Sequence, residues 1–240
     1  MKTTIEICCV GLRDCQHADE QGADRIELCS SMAAGGLTPS LGLFILAKKQ
    51  CNIPIMVMIR PRGAGFCYSD SEFEVMKEDI KIFLDHQADG IVFGMLDEHK
   101  LVDVKRVKEL VKLIHSYHRV AVFHRAFDEC PSNSTIELLI DCGIDRILTA
   151  GGQGVALDHL EKLKMWQEVY GDRIQIQACG NIREDNIQTV IAATNINQIH
   201  SACRVFVQDV SDVKCEQLDY SNAYDKVCRD KCAALVAKVR

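Results

Sequence analysis

Eight short apolar segments recur along this 240-residue chain, and longer amphipathic segments separate them. Each apolar segment has the length of one strand, and Val and Ile, which favour β structure, are frequent in most of them. Alternation of strands with helices is typical of a parallel sheet in an α/β protein. The predicted strands are 4–9, 25–29, 54–60, 90–94, 120–124, 146–149, 173–178 and 198–202.

Two of the separating segments carry an apolar stripe with the period of a helix. The stripes predict helices over 71–87 and 101–115. The segment 204–219 has no clear period, and 220–240 predicts a closing helix. The stripe residues are Phe73, Met76, Ile80, Phe83 and Leu84 in the first helix, and Val104, Val107, Val111 and Ile114 in the second.

Eight successive βα units in a chain of this length predict a single-domain (β/α)8 TIM barrel spanning residues 1–240. An open doubly wound sheet is the alternative, but no strand is followed by a GxGxxG motif. A short motif that contains glycine and aspartate precedes four of the predicted strands. Its four occurrences are at 21–24, 87–90, 142–145 and 170–172. Glycine just past a helix end supplies the left-handed backbone that such turns require.

Composition excludes several classes of partner. The net charge is −6 with no cluster of Lys and Arg, which argues against nucleic acid. No segment approaches the roughly 20 apolar residues of a membrane span, and no export signal is visible, so we expect a cytoplasmic protein. In that compartment the thirteen irregularly spaced cysteines are expected to be reduced thiols, most of them packing in the core.

Charged side chains interrupt the predicted strands, which in a parallel barrel should be almost continuously apolar. Glu6, Glu27, Arg60 and His124 lie within strands or at their ends. One interpretation is a network of buried ion pairs that fixes strand register. The other is a functional site, because the active face of a barrel is built from the carboxyl ends of its strands. Further polar candidates at this mouth are Arg25, Arg62, Arg125, Asp128 and His200.

These side chains suit chemistry on a small anion. Arg60 ends strand three and Arg62 follows on a glycine-rich loop, and the two could bind a carboxylate or phosphate as planar forks. His124 is a candidate general acid or base with a pKa suited to neutral pH, although a structural histidine is an equal alternative. Glu6, Glu27 and Asp128 complete the predicted catalytic set.

Cys8 and Cys29 lie near the ends of neighbouring strands, which are about 4.8 Å apart in a sheet. Two thiolates at that separation suit Cu(I), a soft metal. The alternative is that both cysteines only fill the tapering barrel. Cys9 should face the opposite way, and Cys228 and Cys232 are interpreted as packing residues of the last helix.

Several longer motifs resemble the copper homeostasis protein CutC family. They are IEICC, GADRIELC, GGLTPSLG, IRPRGAGFCYSD, FHRAFD and RILTAGG, which occur in this order over residues 4–202. The resemblance implies a (β/α)8 barrel, a cytoplasmic role in copper handling, and a homodimer or higher homo-oligomer. It also implies Cu(I) binding by Cys8 and Cys29, and it places the family's recurring polar set on the nine charged and histidine candidates given above.

Two departures from the family pattern affect the later strands. The family's small glycine-rich turn after strand seven is Cys179-Gly180-Asn181 here, and its Thr-Ser-Gly after strand six is Thr149-Ala150-Gly151. Many barrels bind phosphate at the last two strands, so these changes weaken the expectation of an anion site there. Three hypotheses remain open: a Cu(I) carrier or buffer, an enzyme acting on a small anionic molecule, and an interaction barrel without a ligand.

Overall fold

The computed structural model describes residues 2–132, 134–210 and 223–240. Eight parallel strands pair in chain order and close into a barrel, because β8 hydrogen-bonds to β1. The predicted (β/α)8 architecture is confirmed. The strands are β1 (Thr4–Cys9), β2 (Arg25–Leu28), β3 (Ile55–Met58), β4 (Gly90–Phe93), β5 (Val120–Phe123), β6 (Arg146–Thr149), β7 (Gln175–Ala178) and β8 (Gln198–Ser201).

Helices follow the barrel strands and cover the outer face of the sheet. The predicted helix over 71–87 begins slightly earlier, because Ser69 and Glu72 form a reciprocal capping box at its start. The helices are α1 (Leu12–Glu20), α2 (Leu41–Gln50), α3 (Asp70–Asp85), α4 (Val104–Ser116), α5 (Thr135–Asp141), α6 (Leu160–Tyr170), α7 (Ile187–Thr194) and α8 (Arg229–Ala237).

The C-terminal region differs from its prediction. Strand β9 (Arg204–Gln208) lies in the segment predicted to be irregular, and it pairs antiparallel with β10 (Ala223–Val227). The predicted closing helix over 220–240 therefore begins only at Arg229, as α8. The reason is that Phe206 is exposed, so the apolar run 205–207 does not show the alternation that predicts a half-buried strand. Residues 211–222 lie outside the described ranges.

The repeated sequence motif before the strands forms a turn, and its aspartate also binds the backbone of the barrel. Gly22 and Gly143 adopt the expected left-handed backbone, with φ of 79° and 83°. The expectation is wrong for Gly171, whose φ is −59°, and in 87–90 the left-handed residue is Gln87. The aspartate that follows accepts a hydrogen bond from a backbone amide of the preceding strand. Asp24 accepts from Ile5 at 2.8 Å, Asp89 from Ile55 at 2.8 Å, and Asp145 from Ala121 at 2.7 Å. Each carboxylate thus ties the start of one strand to the turn before the next.

Side chains of the barrel strands divide into two cores. The outward residues pack against the helices, whereas the inward residues form a separate cluster inside the barrel. The inward cluster contains Cys8, Cys29, Met56, Met58, Val92, Val122, Leu148, Ala150 and Cys179.

None of the helices in the described ranges has the length and apolar character that a membrane span requires.

Candidate functional site

Two thiols meet inside the barrel near the carboxyl ends of β1 and β2. The register pairs Cys8 with Glu27, so Cys29 lies two residues further along on the same inward face. The Sγ atoms of Cys8 and Cys29 are 3.5 Å apart, and both side chains are buried. Cys9 packs in the outward core, as its parity predicts. The expected proximity of the two sulfurs is present; their role as metal ligands remains a prediction.

A buried charged network lies beside the thiols. Glu6 accepts hydrogen bonds from Arg25 Nε at 2.5 Å, from Gln177 Nε2 at 2.8 Å and from His200 Nδ1 at 2.8 Å. Although burial opposes its charge, Arg25 and His200 hold the pKa of Glu6 well below its usual range. Arg25 begins β2 and also donates to Gln198, so it lies at the opposite end of the strand from the mouth. Its geometry is that of an ion-pair partner of Glu6.

His200 lies between two carboxylates. Its Nδ1 contacts Glu6, and its Nε2 is 3.8 Å from Glu27 Oε2. Burial disfavours an imidazolium, but the charge of Glu27 and hydrogen bonds to Cys8 and Glu6 raise the pKa of His200 well above its usual value. Burial also raises the pKa of Glu27, and its Oε1 is buried with no hydrogen-bond partner in the described ranges. An acceptor oxygen is therefore unsatisfied next to the thiols.

Two donor sets for a metal overlap at Cys8. In the first, ligand atoms of Cys8, Glu27 and His200 all lie within 4.8 Å of one another. That mixed set of S, O and N resembles the donors of zinc sites. In the second, Cys8 and Cys29 provide sulfur alone, which suits Cu(I). On donor softness the sulfur set is the better fit for Cu(I), and it leaves the ring of His200 in its contacts with the two carboxylates.

A cavity of about 480 Å³ opens at the mouth beside this site. Cys8, Cys179 and His200 belong to its wall, together with loops that follow β6, β7 and β8. Burial raises the pKa of Cys179 well above its usual value, so this additional thiol is protonated. The lining is cationic even though the glycine-rich turns of the family are altered here. Its charged side chains are Arg125, Arg183, Arg204 and Lys231, with Glu184 as a carboxylate.

Arg60 is occupied by the loops around it. Its guanidinium donates to the carbonyl oxygens of Ala34 at 2.7 Å, Gly36 at 3.2 Å and Ala64 at 2.6 Å. The group also lies over the Phe66 ring, 5.1 Å from its centroid. Such contacts make Arg60 a clamp between the loops after β2 and β3.

Arg62 has a similar position further along the second loop. Its Nε contacts Glu72 Oε1 at 2.5 Å, and its terminal nitrogens donate to the carbonyl oxygens of Gly63, Gly65 and Cys67. The two arginines predicted to bind an anion therefore hold loop backbone, and they are not among the residues that line the mouth cavity. Anion binding by this pair stays a prediction.

His124 is buried away from the cavity lining, against Phe66. Its Nδ1 accepts a hydrogen bond from the Ala126 amide at 3.1 Å, and its Nε2 has no partner in the described part of the chain. Burial, together with the nearby Arg60 guanidinium, lowers the pKa of His124 to about 3. With that pKa the ring is neutral at neutral pH, and the role of His124 as a general acid or base stays a prediction.

Arg125 and Asp128 form an ion pair at the mouth. Arg125 Nε donates to Asp128 Oδ2 at 2.8 Å, and its Nη2 donates to the Gly154 carbonyl at 3.2 Å. Asp128 also accepts hydrogen bonds from Thr149 Oγ1 and from the Ala150 amide. The carboxylate predicted to be catalytic is thus saturated by β6 and its loop, whereas Arg125 still lines the cavity.

Several residues of the site were not predicted from the sequence. Gln177 completes the bonding of Glu6, and the Sδ of Met32 contacts both thiols. The cavity lining adds Arg183, Arg204 and Lys231. Gln177 and these three cationic residues carry no local signal. Met32 follows Cys29 at the spacing Cys-x-x-Met in a glycine-rich loop, which could have suggested a third sulfur.

Comparison with known proteins identifies relatives over most of the chain. Residues 3–205 match the sequence model of the CutC family. A CutC family protein of Treponema denticola is 44% identical over 200 residues, which span 82% of this chain and 80% of that protein. The human copper homeostasis protein cutC homolog is 37% identical over 201 residues, or 83% of this chain and 73% of that protein.

Solved structures agree with this relationship. The crystal structure of CutC from Streptococcus agalactiae superposes with a TM-score of 0.77 at 31% identity, covering 82% of this chain and 97% of that chain. A phosphoribosyl anthranilate isomerase from Thermococcus kodakaraensis, at 16% identity and a TM-score of 0.59, shares the fold alone. With a family match over residues 3–205 and relatives above 35% identity over more than four fifths of its length, the chain belongs to the CutC family.

Proposed function

We propose that this protein binds Cu(I) through Cys8 and Cys29 and acts in copper homeostasis as a carrier or buffer. The observation that carries the proposal is the distance of 3.5 Å between the two Sγ atoms inside the barrel. The naming of the human relative as a copper homeostasis protein supports the same function.

Coordination chemistry favours Cu(I) over harder ions at this pair. Soft thiolate and thioether ligands select Cu(I), whereas hard oxygen ligands select Mg²⁺ or Ca²⁺. Cys8 is 4% exposed and Cys29 is fully buried, so a bound ion would be shielded from water. Cys8 lines the mouth cavity, which offers a route for the ion to enter and leave.

The test is an anaerobic Cu(I) titration against a competing chromophoric chelator. A Cys8→Ala, Cys29→Ala double variant should lose the tight site of the parent. The matched control is Cys9→Ala, Cys15→Ala, which removes two fully buried thiols of the outward core and should bind as the parent does. If the Cys8 and Cys29 variant binds copper as tightly as the parent, the proposed site is wrong.

A second candidate function is catalysis on a small anionic molecule. The cationic cavity lined by Arg125, Arg183, Arg204 and Lys231 favours it, at a different position from the Arg60 and Arg62 pair. A thermal-shift screen of phosphates and carboxylates tests it, because a ligand at 100 times its Kd adds about 2.7 kcal/mol of stability. A shift that an Arg183→Ala variant abolishes would support this function. The absence of any shift would count against it.

We also propose a cytoplasmic location and a homodimer or higher homo-oligomer, as the family resemblance implies. The described cysteines are free thiols, a state that a reducing compartment maintains. Light scattering coupled to gel filtration measures the oligomeric state, and a monomeric mass at micromolar concentration would contradict the second part.

A further inference from the structure

A third sulfur atom lies against the two thiols. Met32 Sδ is 3.3 Å from Cys29 Sγ and 3.7 Å from Cys8 Sγ, while the two Sγ atoms are 3.5 Å apart. The three atoms form a nearly equilateral triangle. Dividing its mean edge by the square root of three places the centre about 2.0 Å from each sulfur.

The distance from the centre of this triangle to its three sulfurs is close to a bond between a metal ion and sulfur. A bond of about 2.3 Å between a metal and sulfur, as in zinc thiolate sites, requires each sulfur to withdraw from the centre by about 0.3 Å. Met has three rotatable side-chain bonds, so Met32 can make such an adjustment at little cost. Its side chain is half-buried and, like Cys8, lines the mouth cavity, so the sulfur lies beside the entry route.

The backbone that carries Met32 is held in place. Ser31 adopts a left-handed conformation with φ of 48°, and a short 3-10 helix follows over Met32–Ala34. Ser30 and Leu37 exchange two backbone hydrogen bonds of 2.9 Å and 2.8 Å, which close the loop at its base. The Arg60 guanidinium binds the carbonyl oxygens of Ala34 and Gly36 within it. The left-handed, non-glycine residue immediately before Met32 is a strained feature that the surrounding contacts maintain.

We propose that Met32 Sδ is the third ligand of the Cu(I) site, making it a three-coordinate site of two thiolates and one thioether. This inference rests on the proposed function and assigns its full donor set. Binding releases the two thiol protons to solvent and transfers no electron. Three soft sulfur donors suit Cu(I), whereas Zn²⁺ is almost always four-coordinate and tetrahedral in structural sites. The site therefore discriminates between the two ions by the number and softness of its ligands.

The experiment compares Met32→Leu with the parent and with Met58→Leu, a control in the same interior cluster. Leu preserves most of the side-chain volume and removes the thioether. We expect Met32→Leu to weaken Cu(I) binding at least about tenfold in the chelator competition, since even changes outside the ligand shell cost about 10–100-fold. Met58→Leu should bind as the parent does. X-ray absorption should count three sulfur neighbours around copper in the parent and two in Met32→Leu.

Several results would overturn the inference. Two sulfurs around copper in the parent, or unchanged affinity in Met32→Leu, would exclude Met32 as a ligand while leaving the Cys8 and Cys29 site intact. Equal weakening by both methionine variants would show an effect of packing rather than coordination. Unchanged binding after loss of Cys8 and Cys29 would refute the proposed function itself, and Met32 would fail with it. Thermal unfolding of each variant shows that the barrel is still folded.

Discussion

His124 provides a direct test of the electrostatics inside this barrel. Its ring is 4% exposed, packs against Phe66 with centroids 4.9 Å apart, and has a pKa lowered to about 3 by burial and by Arg60. In the unfolded chain the same ring has a pKa of about 6.5. Between these two values the unfolded chain holds a proton that the folded protein lacks. Acid therefore favours unfolding, and the stability that the neutral ring permits is lost as the pH falls below about 6.5.

The size of the effect follows from the two pKa values. At about pH 7.5 the ring is neutral in both states and contributes almost no pH dependence. At about pH 5 the unfolded state gains about 2 kcal/mol relative to the folded state from protonation of this one side chain. His200 has the opposite sign: its raised pKa stabilises the folded protein below its unfolded value, and that stability is lost as the pH rises. A comparison between variants is needed to separate the two histidines.

The variant His124→Asn makes that separation. Asn Oδ1 can take the position of Nδ1 and accept from the Ala126 amide, while the titrating ring is removed. Equilibrium unfolding in urea, followed by the fluorescence of the buried Trp166, gives the free energy at both pH values. The variant will be less stable overall because ring packing is lost, but its stability should fall by about 2 kcal/mol less than that of the parent on acidification. An equal fall in both proteins would refute the assignment of a buried neutral ring.

Three further predictions concern the same interior. Glu6→Gln leaves the buried Arg25 guanidinium without its carboxylate, so we expect urea unfolding to show a loss of about 3–5 kcal/mol in the free energy of unfolding. A loss below about 1 kcal/mol would contradict the buried ion pair. Arg60→Lys cannot reproduce the planar guanidinium that binds three loop carbonyls, so the free energy of unfolding should fall by about 1–3 kcal/mol. Limited proteolysis of the two loops should also accelerate, and an unchanged rate of proteolysis would disprove the clamp. In Gly94→Ala the new Cβ would lie 2.5 Å from His124 Cε1, so we expect thermal unfolding to show a loss of stability of about 1–3 kcal/mol. A stability equal to that of the parent would show that the ring moves freely.

Local patterns predicted the barrel well because strand and helix periods are properties of short segments. The predicted strands 4–9 and 146–149 coincide with β1 and β6, and the other six differ only at their ends. The strand β9 differs from its prediction because its sequence has three consecutive apolar residues, Val205 to Val207, and the middle one, Phe206, is exposed. A short strand without a buried face therefore lacks the apolar alternation by which strands are predicted.

The order of the strands and the alternation of side chains along each strand predicted part of the candidate site. Successive residues of a strand face opposite sides, so Cys8 and Cys29 could be placed inside the barrel and Cys9 outside it. The same reasoning placed His124 near a strand end, but it could not show that its ring is buried beside Arg60 rather than exposed at the mouth.

The sequence by itself determined the eight-unit barrel, the inward faces of its strands and the proximity of two thiols, because all three follow from covalent geometry and hydrophobic period. Only the tertiary structure decided what each polar group binds. Arg60 holds loop carbonyls, His200 lies between two carboxylates, and Met32 Sδ meets the thiols. These outcomes depend on loop conformation and on distances of a few ångströms between residues far apart in the chain. Residue type and spacing can point to a candidate, as Cys-x-x-Met does for Met32, but they do not fix these distances, since the partners of a side chain depend on its surroundings.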